Sequence, residues 1–131
     1  MASNSVQFTA TPRLAVAQVT TANPNRDGTG TIVDLMTGVS AGTRINKIRI
    51  KAVGTTTSGM VRIYVFDGTN TRLYIEQTVT AITPTASVAT FEAEILFSDG
   101  DAPILASSSQ KLQASTHNSE TFNIIVEGGD Y

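Results

Sequence analysis

The side chains that most often perform catalysis are scarce in this sequence. Its 131 residues include one histidine, His117, and no cysteine. A chain without cysteine has no thiol nucleophile, no thiolate metal ligand and no disulfide. With one histidine, a transition-metal site would lack its usual nitrogen ligands. We therefore expect no such metal site, and we interpret His117 as an ordinary surface or turn residue.

Hydroxyl nucleophiles and paired carboxylates also lack the context that catalysis requires. Neither Ser58 nor Ser98 lies in the strand–serine–helix elbow that exposes an activated hydroxyl. Glu92 and Glu94 are two residues apart in an alternating run, so they share one face of a strand instead of opposing each other across a cleft. The sequence predicts that the protein is not an enzyme and has no catalytic residues.

Two loop segments contain residue types that bind ions or phosphate. Asp99 and Asp101, with Asp27 elsewhere, could supply oxygen ligands to calcium, but the spacing of an EF-hand is absent. Residues 28–30 read Gly-Thr-Gly without the lysine of a phosphate-binding loop and without a βαβ context. We expect no cofactor and no bound metal, with a calcium-binding loop as the minor alternative.

Tyr64 and Tyr74 are the candidate surface-binding residues. They flank a predicted hairpin turn at Asp67-Gly68 and could lie near one another across it. Exposed aromatic rings serve as stacking platforms for sugars and single-stranded nucleic acid. The alternative is ordinary cross-strand packing, which we favour.

The charge pattern argues against a nucleic-acid or membrane partner. The formal net charge is −2, and the densest basic run, at residues 44–51, lies inside one predicted strand. We interpret that run as a solvated strand face, because phosphate binding needs clustered cations. No apolar stretch approaches the roughly 20 residues of a membrane-spanning helix.

Period-two alternation of apolar and polar residues dominates the chain and indicates strands. The inward-facing positions predicted in four of them are Ile48, Ile50 and Ala52; Val61, Ile63 and Val65; Phe91, Ala93, Ile95 and Phe97; and Phe122, Ile124 and Val126. Leu14, Val16 and, after a phase slip, Val19 indicate a first strand, and Ile45 predicts a bulge near Asn46. About eight strands without a helical stripe predict a single antiparallel β-sandwich or jelly roll.

The N-terminal residues differ from the rest. Residues 1–12 are mainly small or polar, with one large aromatic side chain, Phe8. They are predicted to form an extended arm, with residues 13–131 as the β-sandwich domain. Phe8 and Pro12 are the candidate contacts to a neighbouring subunit or shell. The alternative is a frayed terminus, and the sequence does not separate the two.

Three segments combine a strand pattern with glycine-containing turns: residues 30–35 (GTIVDL), 42–52 (GTRINKIRIKA) and 59–68 (GMVRIYVFDG). These segments resemble small β-sandwich virion proteins of tailed bacteriophages. Such proteins commonly have an N-terminal arm, a GTGT strand, a strand of pattern R-I-x-x-I-x-I-K-A and a hairpin ending in DG. The resemblance covers roughly residues 10–97.

This resemblance implies a capsid decoration (head-stabilising) protein, located in the virion and made in the host cytoplasm. It also implies that the partners are the major capsid protein or other virion proteins, and that the chain forms a homo-oligomer. The resemblance brings no catalytic residues. The alternatives are a tail, collar or fibre-base component, or a carbohydrate- or receptor-binding module.

Overall fold

The computed structural model describes residues 9–98 and 100–131, which form nine β-strands. The strands are β1 (Thr11–Val19), β2 (Val33–Thr37), β3 (Thr43–Ala52), β4 (Gly59–Phe66), β5 (Thr71–Val79), β6 (Glu92–Leu96), β7 (Ile104–Leu105), β8 (Lys111–Thr116) and β9 (Phe122–Asp130). Across this part of the chain, no helical segment has the length and apolar character needed to span a bilayer.

The strands form two antiparallel sheets. Sheet A has the order β1-β9-β3-β6, with β7 paired to β3, and sheet B has the order β2-β8-β4-β5. Neighbours within a sheet are mostly distant in sequence, whereas consecutive strands repeatedly cross from one sheet to the other. Eight long strands connected in this way form a jelly roll. The predicted fold class is confirmed.

The core lies between the two sheets and is built from the alternating positions of the central strands. Ile48 and Ile50 on β3, Val61 and Ile63 on β4, and Ile124 and Val126 on β9 are completely buried. Each such side chain stabilises the fold by about 1.5–3 kcal/mol relative to exposure. The inward positions predicted for these strands are correct.

Two local irregularities also agree with the sequence. The β3–β9 register shifts between Ile45 and Lys47, which places a bulge at Asn46. The β4–β5 hairpin turns at Asp67-Gly68, where Gly68 has a φ of 102°. The Asp67 Oδ1 atom accepts hydrogen bonds of 2.8 Å from the amides of both Thr69 and Asn70, so the turn is held by its own side chain.

Strand β1 is continuous, and the predicted phase slip is absent. Its register with β9 runs without interruption from Thr11 opposite Asp130 to Val19 opposite Phe122. Because successive side chains of a strand point to opposite faces, Val19 enters the core while Leu14 and Val16 point away from it. Both apolar residues are therefore on the outside.

The last two residues of the predicted arm, residues 1–12, belong to β1. Strand β1 begins at Thr11, and the Ala10 amide already donates a 2.7 Å hydrogen bond to the carbonyl of Asp130. Pro12 is thus the second residue of β1, opposite Gly129. Phe8, the other candidate contact, lies outside the described residues.

Candidate functional site

The outer face of sheet A is assembled from rows of side chains that cross four strands. The strand registers place Leu14, Glu127, Lys47 and Leu96 in one row and Val16, Ile125, Arg49 and Glu94 in the next. The first row has two charged residues between two leucines, and the second passes from apolar Val16 and Ile125 to charged Arg49 and Glu94. The same alternation that fills the core produces this pattern on the opposite side of the sheet.

Ion pairs fill the centre of this face. Lys47 Nζ lies 3.1 Å from Glu127 Oε2, and the Arg49 guanidinium reaches Glu92 at 2.8 Å and Glu94 at 2.5 Å. Lys51 Nζ is 3.6 Å from Glu92 Oε1. Lys47, Arg49 and Lys51 of the basic run are therefore paired with carboxylates of β6 and β9, which neutralises this cluster of positive charge.

Apolar side chains border the ion pairs. Leu14 is 66% exposed, Val16 is 65% exposed and Leu96 is 72% exposed. Beside Leu14 is a shallow depression lined by Pro12, Arg13, Leu14, Asn46, Glu127 and Gly128. Single exposed apolar residues are common, but neighbouring ones on a flat sheet at an edge strand are typical of surfaces that another protein covers.

A second polar site lies on sheet B, beneath the loop of residues 20–32. We call it the Arg62 cluster, and it consists of Asn23, Arg26, Arg62, Glu76 and His117. The side chain of Arg62 is 1% exposed, although the sequence places it on a solvated strand face. Loop 20–32 folds over this part of β4, which buries both faces of the strand.

Each of the three guanidinium nitrogens of Arg62 has a partner. Nε donates to Glu76 Oε2 at 3.0 Å, Nη1 to the carbonyl of Asn23 at 3.2 Å, and Nη2 contacts His117 Nδ1 at 3.2 Å. Arg26 Nε donates to the same Glu76 oxygen at 2.5 Å. One carboxylate therefore serves two guanidinium groups, one from the loop and one from the sheet.

These contacts lower the pKa of Glu76 below its ordinary value. The main cause is the hydrogen bond from Arg26, and the bond from Arg62 adds to it, whereas desolvation acts in the opposite direction. A carboxylate stabilised in this way stays ionised in the folded protein at neutral pH. Because its pKa is lowered on folding, the stability that it contributes is present above its ordinary pKa and is lost as the pH falls.

The two candidate tyrosines do not form a joint surface. Tyr64 is completely buried, and its hydroxyl donates a 3.0 Å hydrogen bond to the carbonyl of Asn25. Tyr64 is therefore covered by loop 20–32 and is not accessible as a surface-binding residue. A register shift in the hairpin places Leu73 opposite Tyr64, while Tyr74, 41% exposed, stacks on Phe97 with ring centroids 6.3 Å apart.

The acidic loop residues are occupied by contacts within their own turns. Asp27 Oδ1 accepts bonds from the amide and hydroxyl of Thr29, which lower its pKa, the hydroxyl bond most strongly. Asp101 Oδ2 accepts a 2.8 Å bond from the Ser98 hydroxyl. Asp99 lies outside the described residues, and within residues 9–98 and 100–131 no three His, Cys, Asp or Glu side chains are grouped as metal ligands.

Sequence reasoning missed the Arg62 cluster. His117 lies in the bend that follows β8, as expected for a turn residue, and is half-buried against Arg62. Arg62 alternates with core valine and isoleucine, which is also how a solvent-facing residue would appear. One local signal was available: residues 20–32 contain two asparagines, a proline and two glycines, a composition typical of an ordered loop.

Comparison with protein families and with curated proteins gives no relative. No family model matches the sequence. No curated protein matches it either.

Solved structures do share the fold. A chain of the acidic stable capsid structure of Helicobacter pylori bacteriophage KHP30 superposes with a TM-score of 0.59 at 14% identity, over 92% of this chain and 89% of that one. A chain of the cyanophage Pam1 capsid asymmetric unit has a TM-score of 0.49 at 10% identity, over 92% and 86% of the two chains. A pentameric capsid protein from metagenomic phage sequences has a TM-score of 0.47 at 10% identity, over 99% and 67%.

The first of these similarities defines the architecture. A match over nine-tenths of both chains means that the same jelly roll accounts for nearly the whole of each. At 14% identity it demonstrates a common fold and no more. The predicted similarity to phage virion structural proteins is therefore confirmed for the fold.

Proposed function

We propose that this protein is a non-enzymatic structural component of a phage particle and that it binds the head as a decoration protein. The observation that carries the proposal is the near-complete superposition with a chain of a phage capsid structure. A jelly roll hosts other functions as well. The surface must therefore supply the rest of the argument.

The outer face of sheet A supports a role in assembly. Its charges are internally paired, and it exposes Leu14 and Val16 at an edge strand. Covering these two side chains would contribute about 1.5–3 kcal/mol each. The proposed partners are the major capsid protein or other virion proteins, together with further copies of this chain in a homo-oligomer, and the proposed location is the virion.

The predicted arm adds a second contact to this proposal. Pro12 lines the depression beside Leu14, so the residues that precede β1 enter the domain next to the exposed apolar border. We propose that Phe8 reaches a neighbouring subunit or the shell from there. A carbohydrate- or receptor-binding module is now a weaker alternative, because it relies on Tyr74 alone.

The number of copies per particle tests the function directly. Quantitative mass spectrometry of purified phage particles should give a ratio to the major coat protein that is near unity or a simple fraction of it set by shell symmetry. A handful of copies would place the protein in a tail, collar or fibre base. Complete absence from particles would contradict the virion role.

The double variant Leu14→Ser/Val16→Ser tests the surface. Because both side chains are exposed, the free energy of unfolding should change by less than about 0.5 kcal/mol per site. Affinity for particles lacking the protein should fall at least about tenfold, since lost apolar burial of about 1.4 kcal/mol is already a factor of ten. Co-sedimentation of labelled protein with such particles measures this affinity.

Two further variants complete that experiment. Val88→Ser removes an exposed apolar side chain from the turn at residues 85–88, outside the strands that form this face, and should leave binding unchanged. Deletion of residues 1–8 leaves β1 intact and should weaken binding if the arm is a contact. Unchanged affinity of the Leu14/Val16 variant would remove the outer face of sheet A from the proposal.

A further inference from the structure

A second depression lies on the outer side of sheet B, at the edge of loop 20–32. Its lining residues are Arg26, Ser58, Gly59, Met60, Arg62 and His117. Three elements converge here: the loop supplies Arg26, the start of β4 supplies Gly59, Met60 and Arg62, and the end of β8 leads into His117. The outer face of sheet A, on which the proposed function rests, does not include any of these residues.

The contact with Arg62 determines which nitrogen of His117 carries a proton. A guanidinium group can only donate hydrogen bonds. Arg62 Nη2 lies 3.2 Å from His117 Nδ1, so Nδ1 must act as the acceptor. In the neutral ring the proton is then on Nε2, which makes the other edge of the imidazole a hydrogen-bond donor.

The depression is lined by donors that have no acceptor within the described part of the chain. Arg26 uses Nε on Glu76, which leaves Nη1 and Nη2 without a partner there. His117 Nε2 and the Ser58 hydroxyl also have no acceptor in the described part of the chain. The charged side chains that line the depression are those of Arg26 and Arg62, and both guanidinium groups pair with the one carboxylate of Glu76.

We propose that this depression binds an oxyanion, either a carboxylate or a phosphate group. The planar fork of Arg26 matches two oxygens of such a group, and the imidazole and hydroxyl donors can satisfy the remaining lone pairs. Arg62 is held in place by its three contacts and contributes charge to the floor of the site. The ligand would connect loop 20–32 to the sheet.

The single histidine gives a direct test. The imidazole Hε1 and Hδ2 signals of the full chain come from one residue, so their proton NMR shifts report on this site alone. Inorganic phosphate and acetate are titrated separately at one fixed pH near neutrality, with sodium chloride added to hold the ionic strength constant. Saturable shifts are expected with at least one of the two anions.

Three variants make the result specific. Arg26→Gln should weaken binding about tenfold, since it removes a charged donor, and Ser58→Ala should weaken it by a smaller factor. Arg72→Gln removes an exposed arginine that lies outside the depression and should leave binding unchanged. Saturation by phosphate alone would indicate a phosphate ligand, and saturation by both anions would indicate that a carboxylate of another chain also fits.

Two results would overturn the proposal. One is a shift that stays linear with both anions and equals the shift produced by sodium chloride. The other is an equal affinity of the Arg26→Gln variant and the unaltered protein. Either result leaves the proposed virion function untouched, because that function relies on the fold and on sheet A.

Discussion

Replacing Arg62 with methionine should lower the free energy of unfolding by about 2–4 kcal/mol, because buried charged hydrogen bonds are lost and their partners are left behind. Methionine fills a similar volume but offers no donor to the carbonyl of Asn23. Glu76 keeps Arg26 as a partner, so the main loss falls on the link between loop 20–32 and sheet B. The loop should loosen while the jelly roll persists.

Urea denaturation and amide hydrogen exchange measure this effect. The Asn23 amide donates to the carbonyl of Thr116 at 2.8 Å, and the Asn25 amide donates to Asn23 Oδ1 at 3.0 Å. Both amides should exchange faster in the variant than can be explained by the global loss of stability. The matched control is Arg72→Met on the exposed side of β5, where the change should stay within about 0.5 kcal/mol.

An unchanged urea midpoint for Arg62→Met, together with unchanged exchange at Asn23 and Asn25, would mean that the loop is held without the arginine. The anchors would then be the Arg26–Glu76 pair, the Asn23 amide bond to Thr116 and the bond from the Tyr64 hydroxyl to the carbonyl of Asn25. In that case Arg62 would be retained for reasons other than stability.

Substituting Gly128 with alanine should cost about 2–3 kcal/mol, because the added methyl group has no room. A Cβ atom at this position would lie 2.2 Å from the carbonyl oxygen of Arg44, a backbone atom that cannot rotate away. Gly128 pairs with Ile45 directly beside the bulge at Asn46, where β3 and β9 approach closely. Relief of the contact would require the two central strands of sheet A to separate.

Gly54→Ala is the control for this substitution. Its added Cβ would have no atom within 4 Å, so the fold should tolerate it. A stiffer unfolded chain could even raise the stability by about 0.4–1 kcal/mol. Thermal or urea unfolding of the two variants side by side separates the packing effect from the general effect of replacing glycine. Equal stabilities for the two variants would contradict the close approach of β3 and β9.

Strands β3, β4, β6 and β9 were predictable because the information that defines them is local. On β3, β4, β6 and β9 the apolar residues that fill the core alternate with polar ones over short windows, and the structure buries the expected face of each. The Asp67-Gly68 turn and the bulge at Asn46 are likewise encoded by neighbouring residues. These features depend on steric and hydrogen-bonding preferences of a few residues.

Strand β1 shows where such local information fails. Leu14 and Val16 look like core residues in the sequence, yet the inward positions of this strand are Ala15, Ala17 and Val19. The face of β1 is set by its pairing with β9, more than 100 residues away, as in the 2.9 Å bond from Gln18 to Asn123. A shift of one residue would have reversed every side chain of the strand.

The burial of Arg62 and Tyr64 has the same origin. Their alternation with Val61 and Ile63 marks the outer side of β4, and a strand in isolation would expose that side to water. Loop 20–32 covers it through hydrogen bonds from Arg62 to Asn23 and from Tyr64 to Asn25. Each of these bonds joins residues 39 positions apart, beyond the reach of any local pattern.

The sequence by itself determined that the chain folds into antiparallel strands, which residues of the central strands face inward, and where the hairpin turns. These outcomes follow from the alternation of side chains along an extended backbone. Only the tertiary structure decided the order β1-β9-β3-β6 and β2-β8-β4-β5, the outward position of Leu14 and Val16, and the assembly of the Arg62 cluster. The physical reason is that each of these depends on contacts between distant segments, which form only when the two sheets close over a common core.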